Sequence, residues 1–387
     1  MIENELRAHL TEKVLPFWMN LADEKNGGYY GYVEHDLTVD KAAHKGCILN
    51  SRILWTFATA MRVLNDESYK PYAKRALDFM EKFEDKEQGG VYWSVSPEGE
   101  PLDKTKHTYC QAFAIYGLAA YVRATGSQKA LAKAMALFHI IEDRCTDEGG
   151  YGEAYKPDFS PESNEKLSEN GVMASRTMNT LLHVLEAYAE LYRAYPDDEV
   201  REAGVTCLKR FLDVMYSAKN RRLEVFYDAE YKPLLDMQSY GHDIEGSWLI
   251  WDAVQTLLPE SEHAPYREMC KVLAASVYER AWTDHGLKNE CVDGEVNELR
   301  IWWVQAETVL GFANAYALTG EEKYKQAVTD EWDYIQRVIV DPREGSEWFW
   351  CTEEDGTPTV EKPIVEEWKC PYHNGRMCLR MIETAEE

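Results

Sequence analysis

The stretch GCILNSRILWTFATAMRV, residues 46–63, is apolar on almost every side of a helix, whereas the next stretch, ESYKPYAKRALDFMEKFED (residues 67–85), is charged outside a single apolar stripe. A helix that is apolar nearly all round is buried, and a helix with one apolar stripe covers a surface. This pair therefore predicts an inner helix followed by an outer helix.

The same two patterns alternate along the whole chain. Further surface patterns cover residues 127–145, 198–217, 263–282 and 321–339, and further buried patterns cover 108–123, 172–192, 242–258, 302–318 and 373–384. With the charged N-terminal helix there are six patterns of each kind, which predicts an all-α fold, an (α/α)6 barrel. A two-domain helical array is the alternative, but no linker rich in Pro, Gly and Ser separates two halves. We expect one catalytic domain over residues 1–387.

Short turn-rich stretches separate the helix pairs. NGGYYGYV from Asn26, QGGVYWSV from Gln88 and EGGYGEAY from Glu148 each place turn residues before alternating aromatic or β-branched residues. Weaker versions begin at Asn220, His285 and Glu344. The recurrence indicates a repeated architecture, and each stretch predicts a short β-hairpin in a connecting loop.

Composition excludes several classes of function. The formal net charge is −26 and no Lys/Arg cluster supplies the basic surface that nucleic acids require. No apolar run approaches the roughly 20 residues of a membrane span. The nine cysteines are scattered without a CxxC pair, and the N-terminal helix is too charged for a signal peptide. We expect a cytoplasmic protein without nucleic-acid or membrane partners. A closed barrel buries its own core, so we expect a monomer.

Polar residues on the buried helices point to a functional cavity. In helix 172–192 they recur at spacings of four, four, three and four, as Ser175, Asn179, His183, Glu186 and Glu190. Other buried helices contribute Arg52, Tyr109, His242 with Glu245, Trp303 with Glu307, and His373. Side chains at these spacings share one face of a helix. In a barrel those faces meet in the centre, so we expect the residues to converge on one pocket.

Three histidines on separate inner helices leave several chemistries open. A single histidine on an apolar helix is more often a core residue. Three can hold a catalytic zinc ion, but without an HxH or HExxH pair we expect no metal. A glycoside hydrolase needs two carboxylates, which Glu186, Glu245 and Glu307 could supply. A catalytically silent sugar-binding protein would need no histidines. Because histidine is suited to moving protons near neutral pH, the residues favour proton transfer.

Five sequence blocks resemble a known family nearly end to end. SRILWTF, KHTYCQAFAIY, SYGHDIE, WWVQAE and WKCPYHNGRMC are similar to the cellobiose 2-epimerases of the N-acylglucosamine 2-epimerase superfamily. The resemblance implies an (α/α)6 barrel, no cofactor and no metal. It also implies reversible epimerisation at C2 of the reducing-end glucose in β-1,4-linked disaccharides such as cellobiose and lactose, with mannobiose, which ends in mannose, as a further disaccharide substrate. Mannose isomerases share the barrel, so an aldose–ketose isomerase remains the alternative.

The resemblance also implies roles for individual residues. The catalytic histidines are expected at His183, His242 and His373. The residues expected to bind substrate are Arg52, Tyr109, Asn179, Glu245, Trp303 and Trp368. We expect Glu307 to bind substrate as well, because it shares a helix face with Trp303. His242 and His373 start inner helices, where the helix dipole disfavours imidazolium, so each can serve as a base on one face of C2.

Overall fold

The computed structural model describes residues 2–167 and 171–386, and its helices follow the predicted alternation. The inner helices are α2 (Cys47–Val63), α4 (Thr108–Thr125), α6 (Met178–Ala194), α8 (Tyr240–Leu257), α10 (Trp302–Thr319) and α12 (Tyr372–Glu386). The outer helices are α1 (3–20), α3 (Lys70–Met80), α5 (Gln128–Arg144), α7 (198–215), α9 (Ala264–Arg280) and α11 (322–339), and α1, α7 and α11 each include a π-helical turn.

The inner helices form a closed ring. Each contacts the next along the chain, and α12 contacts α2. The short strand before an inner helix pairs, antiparallel, with a strand that lies before the next inner helix along the chain. The pairs are β1 (Lys45–Gly46) with β2 (Ser94–Val95), β4 (Lys106–His107) with β7 (Ala154–Tyr155), β8 (Arg176–Thr177) with β11 (Phe226–Tyr227), β12 (Met237–Ser239) with β15 (Glu290–Val292) and β17 (Arg300–Ile301) with β18 (Cys351–Thr352). Val365 pairs back to Val33 and joins the last unit to the first. The prediction of an (α/α)6 barrel is confirmed.

A tight hairpin follows every outer helix, as the turn-rich stretches predicted. Three are strand pairs: β5 (Thr146–Asp147) with β6 (Gly150–Tyr151), β9 (Tyr216–Ser217) with β10 (Arg222–Leu223), and β13 (Trp282–Thr283) with β14 (Gly286–Leu287). The other three are single bridges, Ala22 to Tyr29, Glu84 to Val91 and Val340 to Trp348. The remaining strands are β3 (Pro101–Asp103), which pairs with β2, and β16 (Glu295–Asn297), which pairs with β15.

In two of the hairpins, a glutamine of the following inner helix makes a pair of hydrogen bonds to the backbone of one hairpin residue. The Gln111 side chain accepts from the Val91 N–H at 2.7 Å and donates to its carbonyl at 2.8 Å. Gln305 does the same with Leu287, at 2.8 and 2.9 Å. The preceding residues Gly90 and Gly286 have positive φ, and an added Cβ would meet the glutamine Oε1. Glycine is therefore required at these two turns.

The helix predicted over residues 172–192 starts later than expected. Helix α6 begins only at Met178, because Arg176 and Thr177 are used in a strand pair and the Thr177 side chain caps the helix by accepting from the Thr180 N–H at 3.1 Å. Ser175 is therefore exposed and lies outside the helix. The polar stripe begins at Asn179.

The cysteines are unpaired. All nine are free and eight are buried, including Cys370 and Cys378, so they pack as small apolar side chains. Among the described residues, no helix is long and apolar enough to span a bilayer.

Candidate active site

A cavity of about 230 Å³ opens where the inner helices begin. Nine of the ten predicted site residues line it, namely Arg52, Tyr109, Asn179, His183, His242, Glu245, Trp303, Trp368 and His373. They come from all six inner helices and from the loop before α12, so the barrel brings distant parts of the chain together. The tenth, Glu307, is completely buried behind the cavity wall.

His242 is the third residue of α8 and is held by the helix cap. The Ser239 Oγ accepts from the His242 backbone N–H at 3.4 Å and lies 2.8 Å from the imidazole Nδ1. A hydroxyl can donate or accept, so Ser239 accommodates either protonation state of the ring. Burial, together with the nearby His183, lowers the pKa of His242 to about 3. The imidazole is therefore neutral near pH 7.

His373, the second residue of α12, is held by a carboxylate instead. Its Nδ1 lies 2.7 Å from Glu307 Oε1. Glu307 also accepts from Trp248 Nε1 at 2.9 Å and from Arg376 Nη2 at 2.7 Å, so it acts as an acceptor throughout. The proton of the His373 bond therefore belongs to Nδ1, which leaves an Nε2 lone pair. Burial and the cations Arg376 and Arg52 lower the pKa of His373 well below its usual value.

His183, on α6, is also held by a carboxylate. Its Nδ1 lies 2.8 Å from Glu186 Oε2, the atom to which the Tyr372 hydroxyl donates at 2.5 Å. Burial alone would raise the pKa of Glu186. Arg376 and the His183 bond outweigh it and lower that pKa to about 2, so Glu186 stays ionised.

Arg52 places a cation at the cavity wall. Its Nη2 donates to the Tyr109 hydroxyl at 2.8 Å and its Nη1 to the Trp368 carbonyl at 3.3 Å. The guanidinium lies over the Phe113 ring, 4.1 Å from the centroid. These contacts hold the charge in place on a side chain that is only 2% exposed. A fixed cation of this kind can stabilise negative charge that forms on a bound oxygen.

Aromatic rings form the rest of the wall. The Trp303 ring lies 4.9 Å from the His242 ring and 5.4 Å from the His373 ring, between centroids, and so contacts both imidazoles. Trp368 packs edge-on against Trp93 and Tyr109, each 5.8 Å away. Ring faces at two sides of a polar cavity suit a ligand with apolar faces and polar edges, as sugars have.

Three cavity residues carry buried polar atoms without a protein partner in the described part of the chain. These atoms are Arg52 Nε, Asn179 Oδ1 and Trp302 Nε1. A buried polar atom is costly when it is unpaired, so a ligand that bonds it gains affinity. Together they offer two donors and one acceptor to hydroxyl groups.

Sequence reasoning missed several residues of this site. Trp302, Ser239 and Asn289 line the cavity, and Arg376 stands behind it. Ser239 could have been found as the N-cap of helix α8, and Arg376 as an arginine on an otherwise buried helix. Asn289 lies in a loop, and its position depends on the β12–β15 pairing.

The two carboxylates nearest His373 share one cation. Glu245, Glu307 and His373 present ligand atoms within 4.8 Å of one another, a spacing that could hold a metal ion. Arg376 Nη2 already donates to Glu245 Oε1 at 2.5 Å and to Glu307 Oε1 at 2.7 Å. The guanidinium therefore takes the position that a cation would need. Burial and the neighbouring Glu307 raise the pKa of Glu245 to about 7.

The chain is similar to known proteins along nearly its whole length. The sequence profile of the N-acylglucosamine 2-epimerase (GlcNAc 2-epimerase) family matches residues 28–374. A cellobiose 2-epimerase of Eubacterium cellulosolvens is 48% identical, aligned over 98% of this chain and 97% of the relative. A cellobiose 2-epimerase of Ruminococcus albus is 43% identical over 99% and 98%.

Solved structures show the same likeness. The crystal structure of a sugar epimerase from a ruminal bacterium matches with a TM-score of 0.98 at 42% identity, over 99% of both chains. The structure of a D-mannose isomerase matches with a TM-score of 0.87 at 20% identity, over 99% of this chain and 98% of the other, and so shares the fold.

Proposed function

Because this chain belongs to the N-acylglucosamine 2-epimerase family, we propose that it is a cellobiose 2-epimerase, an isomerase that inverts C2 of the reducing-end glucose in β-1,4-linked disaccharides. Cellobiose would give 4-O-β-glucosyl-mannose, and lactose and mannobiose are further substrates. The observation that carries the proposal is the convergence of His183, His242 and His373 on one cavity, each with its Nδ1 bonded to a fixed partner.

The proposed reaction is a proton transfer on the open-chain sugar. Opening of the ring exposes the C1 aldehyde, which acidifies the C2 hydrogen. His373 removes that proton through its free Nε2 and leaves a cis-enediolate. His242 takes up a proton from solvent and delivers it to the opposite face of C2, which inverts C2, and His373 returns its own proton to solvent so that both imidazoles end neutral. In the reverse direction the two imidazoles exchange roles. Both are neutral near pH 7 and can accept a proton.

The other wall residues bind the sugar and the charge that develops on it. Arg52 and His183 polarise the C1 carbonyl and stabilise the enediolate. Trp303 and Trp368 pack against the two sugar rings. Sugar hydroxyl groups bond to Tyr109, Asn179, Glu245 and Trp302. Two of these residues offer atoms that have no partner within the described residues, Asn179 Oδ1 and Trp302 Nε1. Glu307 acts through His373 rather than by touching the sugar, because it is buried behind the wall.

Two other activities use parts of the same site. An aldose–ketose isomerase passes through the same enediolate and differs only in reprotonating C1. A glycoside hydrolase needs two carboxylates facing the bond that breaks. Here Glu245 and Glu307 are both bound to Arg376 and Glu307 does not line the cavity, which disfavours hydrolysis by this pair.

Proton NMR of cellobiose incubated with the protein in D2O and EDTA tests the proposal. Glucosyl-mannose carrying deuterium at C2 is the expected product. Free glucose would identify a hydrolase instead, and conversion of mannose to fructose without change in cellobiose would identify a monosaccharide isomerase. His373→Gln should abolish the exchange. His263→Gln is the matched control, because His263 lies between α8 and α9 and bonds only the Leu258 carbonyl among the described groups.

We further propose that residues 1–387 act as one catalytic domain and as a cytoplasmic monomer. The closed ring supports the single domain and the monomer, because all six inner helices contribute to one cavity and no second copy is needed to complete it. The unpaired cysteines support a reducing compartment.

A further inference from the structure

Arg376 is a completely buried arginine that the proposed reaction does not use. It lies on α12, one turn after His373, and does not line the cavity. Its guanidinium is packed between two rings, 4.8 Å from the Trp248 centroid and 4.1 Å from the Tyr372 centroid. A charge at such a position is strongly destabilising unless it is paired, so its partners account for its presence.

Those partners are three carboxylates from three inner helices. Nη2 donates to Glu245 Oε1 of α8 at 2.5 Å and to Glu307 Oε1 of α10 at 2.7 Å. Nη1 donates to Glu186 Oε1 of α6 and to the Tyr372 hydroxyl. A planar guanidinium can hold several acceptors in one plane, which a lysine ammonium cannot do in the same way. Arg376 therefore fixes the carboxylates relative to one another.

Two of the three carboxylates hold histidines of the cavity. Glu307 bonds the Nδ1 of His373 and Glu186 bonds the Nδ1 of His183. In each case Arg376 bonds the same carboxylate, so a single cation stands behind both imidazoles. Releasing it would let both carboxylates turn or take up protons, and a protonated carboxyl no longer fixes the proton on Nδ1.

We propose that Arg376 is a positioning residue that sets the ring orientation and the tautomer of His373 and His183 by holding Glu307 and Glu186. This inference deepens the proposed function and, where turnover is concerned, rests on it. The effect on the histidines themselves does not depend on any substrate.

The charged and titratable groups around this cluster come from every inner helix. They are Arg52 of α2, Tyr109 and Tyr116 of α4, His183 and Glu186 of α6, His242 and Glu245 of α8, Glu307 of α10, and Tyr372 and His373 of α12. Among the described residues, Arg376 is the only Lys or Arg that bonds Glu307 and Glu186, the carboxylates that hold the two imidazoles. Its removal is therefore expected to act on both histidines together.

The test compares Arg376→Met and Arg376→Lys with Arg380→Met. Arg380 is a matched control, since it follows one turn later on α12 and also pairs with two carboxylates, Asp252 and Glu383, which hold no histidine. Nitrogen-15 NMR of histidine-labelled protein reads the tautomers, with signals assigned by His373→Gln and His183→Gln. We expect single Nδ1–H tautomers of both residues in the wild type and in Arg380→Met, and mixed tautomers in Arg376→Met.

Turnover of cellobiose gives the second measurement. We expect kcat to fall by about 100-fold in Arg376→Met with little change in KM, because a misplaced base costs rate rather than binding. Arg380→Met should keep a rate close to the wild type. If Arg376→Met does not fold, Arg376→Lys carries both measurements, with mixed tautomers and a smaller loss of kcat expected.

Two results would overturn the inference. One is an unchanged histidine spectrum in a folded Arg376 variant, and the other is an equal loss of kcat in the Arg380 control. A wild type that shows the fixed tautomers but does not turn over cellobiose would refute the proposed function and leave the positioning role supported.

Discussion

Glu307→Gln is a sharp test of the hydrogen bonds behind His373. Glu307 Oε1 accepts from His373 Nδ1 and Arg376, and Oε2 accepts from Trp248 Nε1 at 2.9 Å. The amide of glutamine must place its NH2 group on one of these sides. Facing His373 and Arg376 it would oppose two donors, one of them charged, whereas facing Trp248 it opposes one neutral donor. The second arrangement costs less, so we expect the amide oxygen to remain with His373.

This choice sets the magnitudes. One buried donor pair facing each other costs about 1–3 kcal/mol of stability. The His373 tautomer is kept, but the imidazolium that forms at His373 in the proposed reaction loses its carboxylate partner. We expect kcat to fall by about 10- to 100-fold, the usual scale for losing a group that supports a functional ligand.

Trp248→Phe makes the reasoning testable by a double-mutant cycle. Phenylalanine keeps a ring beside Arg376 and removes the indole N–H. In the Glu307→Gln background that N–H is the opposing donor, and Trp248→Phe removes it. The double variant should therefore lose about 1–2 kcal/mol less unfolding free energy than the sum of the losses in the two single variants. Urea unfolding gives the free energies, and kcat should stay low because the charge is still missing.

Glu331 provides the matched control. It is also buried and accepts from an indole, that of Trp282, at 3.0 Å, but it lies on outer helix α11. Burial raises the pKa of Glu331 to about 8, so at pH 7 it is mostly protonated and glutamine is a close mimic. Glu331→Gln should change neither kcat nor stability appreciably. Additive losses in the Glu307–Trp248 cycle, to within about 0.5 kcal/mol, would refute the assigned orientation.

Three further outcomes follow from the cavity wall. Ser239→Ala is expected to lower kcat by about 10-fold with little change in KM, since it removes the group bonded to the His242 Nδ1, whereas Ser247→Ala on the same helix should not. His242 has a folded pKa of about 3 against 6.5, so the unfolded chain binds more protons and the wild type loses stability as pH falls from 6.5 towards 3. His242→Gln removes that loss, worth about 1–2 kcal/mol at pH 5 for a ring partly exposed to the cavity, as chemical unfolding at pH 5 and 7.5 would show. Trp303→Ala, which takes away the indole between both imidazoles, should lower kcat/KM by about 100-fold in steady-state assays, and Trp303→Phe by less.

The barrel could be predicted from the sequence because its signal is periodic. Inner helices such as 46–63 are apolar all round and outer helices such as 67–85 are not, and this contrast survives changes in single residues. The predicted start of α6 was wrong, because the strand pair at Arg176–Thr177 and the cap at Thr177 take precedence over the helical pattern. Such pairings join distant segments and leave little trace in local sequence.

The members of the site were predictable, but their partnerships were not. A polar residue on a buried helix stands out, and this identified His242 and His373. Which partner each one takes depends on side chains from other helices: Ser239 for the first and Glu307, 66 positions away in the chain, for the second. Glu307 was expected to bind substrate for the same reason, since helical spacing gives its face and not its depth.

The charges around the cavity explain how a neutral sugar can be bound and then deprotonated. Arg52 and Arg376 are buried with Glu186, Glu245 and Glu307. With the pKa of Glu245 raised to about 7, its partial protonation brings the two cations and the remaining carboxylates close to balance near neutral pH, while His242 and His373 stay uncharged. In the proposed reaction, deprotonation of C2 places a negative charge near Arg52 and a positive charge on the His373 imidazole, which Glu307 faces. Each charge therefore forms beside a fixed group of opposite charge, Arg52 for the enediolate and Glu307 for the imidazolium. This pairing stabilises the transition state more than the bound sugar.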